Sequence, residues 1–146
     1  MFANRGLCAL TSLLLLCPVV ASAEDIAIIV HPERHTSLEV DDIATVYLKR
    51  RRHWQNGDRI MPLNRNAGSD VREEFSRRVF GKDSKSQLAY WNREYFRGVL
   101  PPVSLASDEA VLRYVAKSRQ AIGYVPASKV DARVRVIATL PEEPVH

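Results

Sequence analysis

Residues 26–30 read IAIIV, five apolar residues in a row of which four are β-branched. A run this short and this branched suits a β-strand, and a strand with no polar position must be covered on both faces, as in the parallel sheets of α/β proteins. That requirement constrains the fold more than any other stretch, because it demands a layer of apolar side chains above the sheet and another below. His31-Pro32 closes the run, and the sequence beyond it supplies segments suited to those layers.

Thr36 with Glu39 three residues later forms a capping box, and Ile43, Val46 and Tyr47 follow at helical spacing. LKRRRHWQNGDR breaks the pattern, with Asn56-Gly57 as a turn, and Ile60–Leu63 returns to strand character. In the next helical segment Val71, Phe75 and Val79 share one face, and Gly81 stands where a C-terminal cap belongs. Ser84 with Gln87 is expected to cap a further helix with a stripe of Leu88, Trp91 and Tyr95, stopped by Gly98 and Pro101-Pro102. Ser107 caps another helix, predicted to bury Val111, Tyr114 and Val115, and AIGYV then reads as a strand ended by Pro126. Trp91, Tyr95, Val111, Tyr114 and Ile122 are expected to meet in one core. Residues 133–137 alternate charged and apolar, as in a strand with one wet face. Strands alternating with helices predict an α/β fold around one central sheet.

Composition enters through the first 23 residues. Arg5, the apolar stretch Leu7–Val20 and the small-x-small site Ala21-Ser22-Ala23 read as a signal peptide cleaved after Ala23. A cut before Cys17, as in a lipoprotein, is disfavoured by Leu16, which stands where a small residue is wanted. The chain then divides into a signal peptide (1–23), one domain (24–140) and a loose tail (141–146). Both cysteines, Cys8 and Cys17, belong to the signal, so the exported domain has neither disulfide nor thiolate chemistry. Its stability must come from a hydrophobic core, which a domain of about 120 residues can supply. Removing Arg5 leaves 20 of the 21 basic residues against 17 acidic ones, a balance that names no partner.

The most informative local feature is the strand-loop-helix stretch 60–79. Its loop carries Arg65, Asn66, Gly68, Ser69 and Asp70 at a helix start, where free N–H groups and the helix dipole favour an anion. Arg65 would add a bidentate clamp and Ser69 a hydroxyl. The plainer reading is that Ser69 or Asp70 caps the helix, with Glu73 completing the box for Asp70. Lys49-Arg50-Arg51-Arg52-His53-Trp54 reads as a solvated basic loop whose Trp54 folds back onto the sheet, rather than as a nucleic-acid grip. His31, Glu33 and His35 lie at a strand end and a Pro turn, with no helical face to align two imidazoles on a metal. Nucleophile-elbow, P-loop and dinucleotide signatures are missing, so neither an enzyme nor a cofactor is expected.

Taken in order, IAIIVHP, DDIATVYLKRRRHWQNGDRIMPLNRNAGSDVREEF and AVLRYVAKSRQAIGYVP resemble the periplasmic phosphate-binding proteins of ABC importers, a branch of the type 2 periplasmic binding protein superfamily. Tyr47-Leu48, Arg50, Trp54, Arg65, Gly68, Ser69 and Ile122-Gly123-Tyr124 stand at matching places. Lys49 stands at a family glycine, and Asp70-Val71 where the family anion loop has Gly-Thr. The resemblance covers nearly the whole exported chain but only the second of the two lobes of a full member. It implies a single α/β lobe, with a central mixed sheet flanked by helices. It also implies a small oxyanion, phosphate first, at Arg65, Asn66, Gly68, Ser69 and Asp70, with Asp70 competing for the same helix start. Its location would be the periplasm and its partner an ABC importer permease or a membrane sensor, with a homodimer or partner lobe closing the half-site. The alternative is a periplasmic interaction module that kept the lobe and lost the ligand.

Overall fold

The computed structural model describes residues 24–142. The expected signal peptide and cleavage site, and residues 143–146 of the expected tail, lie outside the described residues. The elements are β1 (Ile26–Val30), α1 (Val40–Tyr47), β2 (Met61–Arg65), α2 (Asp70–Phe80), α3 (Leu88–Phe96), β3 (Val103–Leu105), α4 (Asp108–Lys117), β4 (Ala121–Pro126) and β5 (Arg135–Leu140), with short 3-10 turns at Ser84–Gln87 and Ala127–Lys129. Among the described residues no helix is long and apolar enough to cross a membrane.

The strands form one sheet in the order β3-β2-β4-β1-β5. β2 runs parallel to β3 and β4, whereas β1 is antiparallel to both its neighbours, with Ile26 opposite Pro126 on one side and Leu140 on the other. The sequence correctly demanded burial of β1 on both faces, and all five of its residues are buried. The parallel setting expected for it is wrong. Continuous hydrophobicity reports that both faces are covered and carries no information about strand direction.

Within that run the ordinary two-residue alternation survives. Ile26, Ile28 and Val30 face a layer made by α1 and α2, where they join Ile43, Val46, Tyr47, Phe75, Ile122 and Tyr124. Ala27 and Ile29 face the other way, toward Val111, Leu112 and Val115 of α4. The connection from β4 to β5 recrosses the sheet on this second side, where Val134 packs into the same cluster. Gly123 of β4 lies under α4, and a Cβ there would come within 2.6 Å of Val111 Cγ1.

The caps show how the helices start and stop. α1 begins at Val40 behind Glu39, whose N–H donates to Asp42 Oδ2 at 3.2 Å, so the capping box is Glu39/Asp42 and not the expected Thr36/Glu39. α2 ends at Gly81, whose φ of 67° lets its N–H return to Arg77 O. Ser107 caps α4 as expected, its hydroxyl accepting from Ala110 N–H at 3.0 Å. Ser84 instead opens a 3-10 turn capped by Asp83, and α3 follows from Leu88.

α3 overturns the expectation that Trp91, Tyr95, Val111, Tyr114 and Ile122 meet in one core. It has no buried residue: of its stripe Leu88 and Tyr95 are strongly exposed, as is Phe96, while Trp91 is half-buried. The helix is attached by Tyr90, whose hydroxyl donates to Leu48 O at 2.6 Å, with the preceding Gln87 bonding Ser76 Oγ. Tyr114 is also on the outside of α4, its place in the core taken by Leu112. Val111 and Ile122 are buried on opposite faces of the sheet. An amphipathic pattern shows that a helix has an apolar face but does not say which surface covers it.

Three substitutions test this arrangement by urea denaturation. Phe75→Ala should cost on the order of 3 to 5 kcal/mol, as for a buried aromatic, whereas Tyr95→Ala should stay within about 0.5 kcal/mol of the parent. Similar losses at both positions would place α3 in the core after all. Gly123→Ala should cost about 1 to 3 kcal/mol through overpacking against Val111, and no loss would mean that α4 sits farther from β4.

Candidate functional site

β2 and β3 end side by side and in parallel, and the chain leaves each of them into a helix, α2 after β2 and α4 after β3. Two helix N-termini therefore stand at the carboxyl ends of neighbouring parallel strands, where ligands of open α/β sheets collect. The expected site lies at this edge.

Arg65 is the last residue of β2 and is 9% exposed. Its Nη1 is paired with Asp108 Oδ1, and its Nη2 lies 3.4 Å from Ala106 O. The Nε is buried and has no hydrogen-bond partner. Asn66 and Gly68 are exposed on the loop, and Gly68 takes a φ of 83°, which a side chain would resist. Ser69 occupies the N-cap position of α2. Its carbonyl accepts from Arg72 and Glu73 N–H at 3.1 Å, but its hydroxyl, also buried, bonds nothing. Asp70 is the exposed first residue of the helix.

Ser69 is the N-cap residue, as the plainer reading expected, but the side-chain bonds of that reading do not form. Ser69 makes no side-chain cap bond, and the Glu73 carboxylate turns to Ser84, accepting from its N–H at 3.2 Å and from its hydroxyl. These bonds, the hydroxyl first, hold the Glu73 carboxyl below its ordinary pKa.

Several residues that position the site were not assigned to it from the sequence. Arg65 N–H donates to the Tyr124 hydroxyl at 3.2 Å, and that hydroxyl is also bonded to Asn64 Oδ1. Tyr124 stacks on Phe75 of α2 with ring centroids 3.9 Å apart, tying β4 to the helix that carries the loop. Burial pushes the phenols of Tyr124 and Tyr47 well above the usual tyrosine pKa, so both remain neutral. Arg72, one turn into α2, donates from Nη1 to Arg65 O at 2.9 Å. Asp108 is the largest omission. The sequence marked Ser107 as a cap, but only the adjacency of β2 and β3 brings the next residue to Arg65.

The first turn of α4 thus presents two carboxylates to three arginines. Asp108 holds Arg65, while Glu109 takes Arg133 through Nη1 at 2.8 Å and Nη2 at 3.0 Å, and Arg113 at 3.0 Å. Arg133 and then Arg113 lower the Glu109 carboxyl to about 2. Trp54, Arg34 and His31 serve local structure. Trp54 folds back as expected and is 3% exposed, with Arg34 stacked 4.5 Å from its ring and its Nε1 donating to Gln120 O at 3.3 Å. His31 Nδ1 accepts from Glu33 N–H at 3.2 Å, and Glu33 pairs with Arg119.

The depressed Glu109 pKa gives a signed expectation. Its contribution to stability is fully present above the ordinary carboxylate value of 4.5 and is lost as pH falls toward about 2. Denaturant midpoints at about pH 5 and about pH 2 should therefore differ more for the parent than for Glu109→Gln. Equal differences would show that this exposed, salt-screened cluster adds nothing.

Comparison with known proteins follows the geometry. No protein-family model matches the chain, and no curated protein matches it by sequence. Solved structures do match its fold. An ABC-type phosphate transport receptor from Vibrio cholerae superposes with a TM-score of 0.64 at 19% identity, over 78% of this chain and 45% of the receptor. A putative phosphate ABC transporter substrate-binding protein from Clostridium perfringens, solved with bound phosphate, gives 0.61 at 23% identity, over 78% and 44%. PstS from Borrelia burgdorferi gives 0.55 at 14% identity, over 71% and 41%. The chain spans less than half the length of these proteins, and at such identities the likeness is one of fold: five strands flanked by helices, arranged as a single lobe of a phosphate transport receptor.

Proposed function

We propose that this protein is an exported solute-binding lobe that holds a small oxyanion, phosphate first, between Arg65 and the head of α2. The observation that carries this reading is a pair of buried, unsatisfied polar atoms at one loop, Arg65 Nε and Ser69 Oγ. Burying such groups without partners is costly, so their presence favours a ligand that completes them. Guanidinium offers five donors, and Asp108 and Ala106 engage only its two Nη groups. The N–H groups at the start of α2 add the partial positive charge of a helix terminus. Asn66 and Gly68 border the loop, and Asp70 opposes the anion from the first turn. The role is binding rather than catalysis. The site would be in the periplasm after cleavage behind Ala23, with an importer permease or a membrane sensor as recipient and a second copy or another lobe closing the open side.

A second reading rests on Asp108. Arg65 already has a carboxylate partner, which supplies from within the chain the charge that a ligand would bring. On that reading the lobe serves as an interaction module and the loop as its internal latch.

Calorimetry with phosphate, sulfate and acetate separates the two. The parent should bind phosphate, and Arg65→Ala should weaken binding by roughly 1.5 to 3 kcal/mol, the scale of a hydrogen bond to a charged group. Asp108→Asn keeps an acceptor for Arg65 while removing the competing charge, so it should bind more tightly than the parent. Flat titrations for all three proteins would discard the oxyanion site and leave the interaction module.

A further inference from the structure

A second cationic cleft lies at the other end of β2. It opens between the C-terminus of α1, the entry to β2 and the segment that follows α3, with a volume of about 370 Å³. Its polar rim is Lys49, Arg51, Arg52, His53 and Arg59, and its apolar wall is Val46, Ile60, Pro62, Val99 and Leu100. Among the described residues no carboxylate lines it. β2 begins at Met61 beside this cleft and ends at Arg65, so the two sites occupy opposite ends of one strand.

Part of the rim is explained by local structure. Arg51 pairs with Asp42 at 3.1 Å, and Arg52 Nε donates to Lys49 O at 2.9 Å, placing a cation at the carbonyl end of α1. Lys49 and Arg59 are not explained this way. Among the described residues neither side chain has an anionic partner, and Arg59 enters from the strand side, away from the helix end. Lys49 also sits at a φ of 54°, the only positive value among the described residues other than glycine. A side chain in the left-handed region is disfavoured, and glycine would hold the same backbone without strain. Burial and then the neighbouring Arg52 lower the Lys49 pKa, as expected for a cation that lacks a counter-ion.

We propose that this cleft binds an organic anion: a phosphate or carboxylate head held by Lys49 and Arg59, joined to an apolar body that lies on Ile60, Pro62, Val99 and Leu100. The volume falls in the lower part of the roughly 300 to 1,000 Å³ range of small-molecule sites, more than an inorganic ion fills. The same chemistry is offered by a free small amphiphile and by the head region of an anionic lipid. The site is independent of the oxyanion reading at Arg65.

Phenyl phosphate is a suitable soluble probe, titrated in an Arg65→Ala background so that the α2 loop does not contribute. It should bind, and more tightly than inorganic phosphate. Arg59→Gln and Lys49→Gly should each weaken it about tenfold, the loss of one charge-assisted hydrogen bond. Lys49→Gly relieves the backbone while removing the charge, so its melting temperature should equal or exceed the parent's, which separates lost binding from lost folding. Sedimentation with vesicles of phosphatidylcholine, with and without phosphatidylglycerol, identifies the source. Capture by the anionic vesicles alone, reduced by the same substitutions, assigns the cleft to lipid, whereas binding of phenyl phosphate without capture assigns it to a free ligand. If neither probe binds, or if both substitutions leave binding unchanged, the proposal is overturned.

Discussion

Two tyrosine hydroxyls hold the sheet together where its backbone ladder stops. β2 pairs with β4 only through Met61 and Pro62, after which the two strands part. Tyr47 from α1 fills the opening, its hydroxyl lying 3.0 Å from Leu63 O and 3.3 Å from Ile122 O, one carbonyl from each strand. Tyr124 does the same farther along, reaching Asn64 and the Arg65 N–H. Both rings pack against Phe75. Leaving these backbone groups unpaired in a buried setting would be costly, so the aromatic cluster is a condition of the sheet's shape as well as a store of apolar burial. It also fixes the loop, since Arg65 cannot shift without breaking the bond to Tyr124.

The electrostatics of the loop follow from that fixed point. With Arg65 held at the end of β2, Asp108 at the head of α4 becomes its nearest carboxylate, although 43 positions separate them in sequence. One guanidinium edge is neutralised and the other is left buried and unbonded. The loop is therefore half satisfied: Arg65 Nε and Ser69 Oγ are buried without partners, beside the carboxylates of Asp70 and Asp108.

The elements that could be read from the sequence were those specified by their own neighbours. Gly81 ending α2, Ser107 starting α4 and the inward face of Val71, Phe75 and Val79 are local statements, and the structure agrees with each. The turn at Asn56-Gly57 is of the same kind, with Gly57 N–H returning to Trp54 O at 3.0 Å. What could not be read depends on which surfaces meet. The stripe on α3 is real, but among the described residues no layer buries it. The direction of β1 is set by partners about a hundred residues away. The loop residues of the candidate site were legible as a strand-loop-helix turn, whereas Asp108 and Tyr124 arrive there through strand order, for which a single sequence has no local sign.

The antiparallel setting of β1 has a consequence for the order of events during synthesis. This strand is the most apolar stretch of the sheet, it pairs with β4 and β5 alone, and both are encoded at the far end of the chain. At about 5 to 20 residues per second, IAIIV waits on the order of ten seconds for a partner. During that time it is an open template for any other extended apolar segment. The local helices can form early, but the sheet closes only when β4 and β5 receive β1 between them, a step of high contact order and correspondingly slow. The first strand of the sheet to be synthesised is therefore the one whose insertion completes folding.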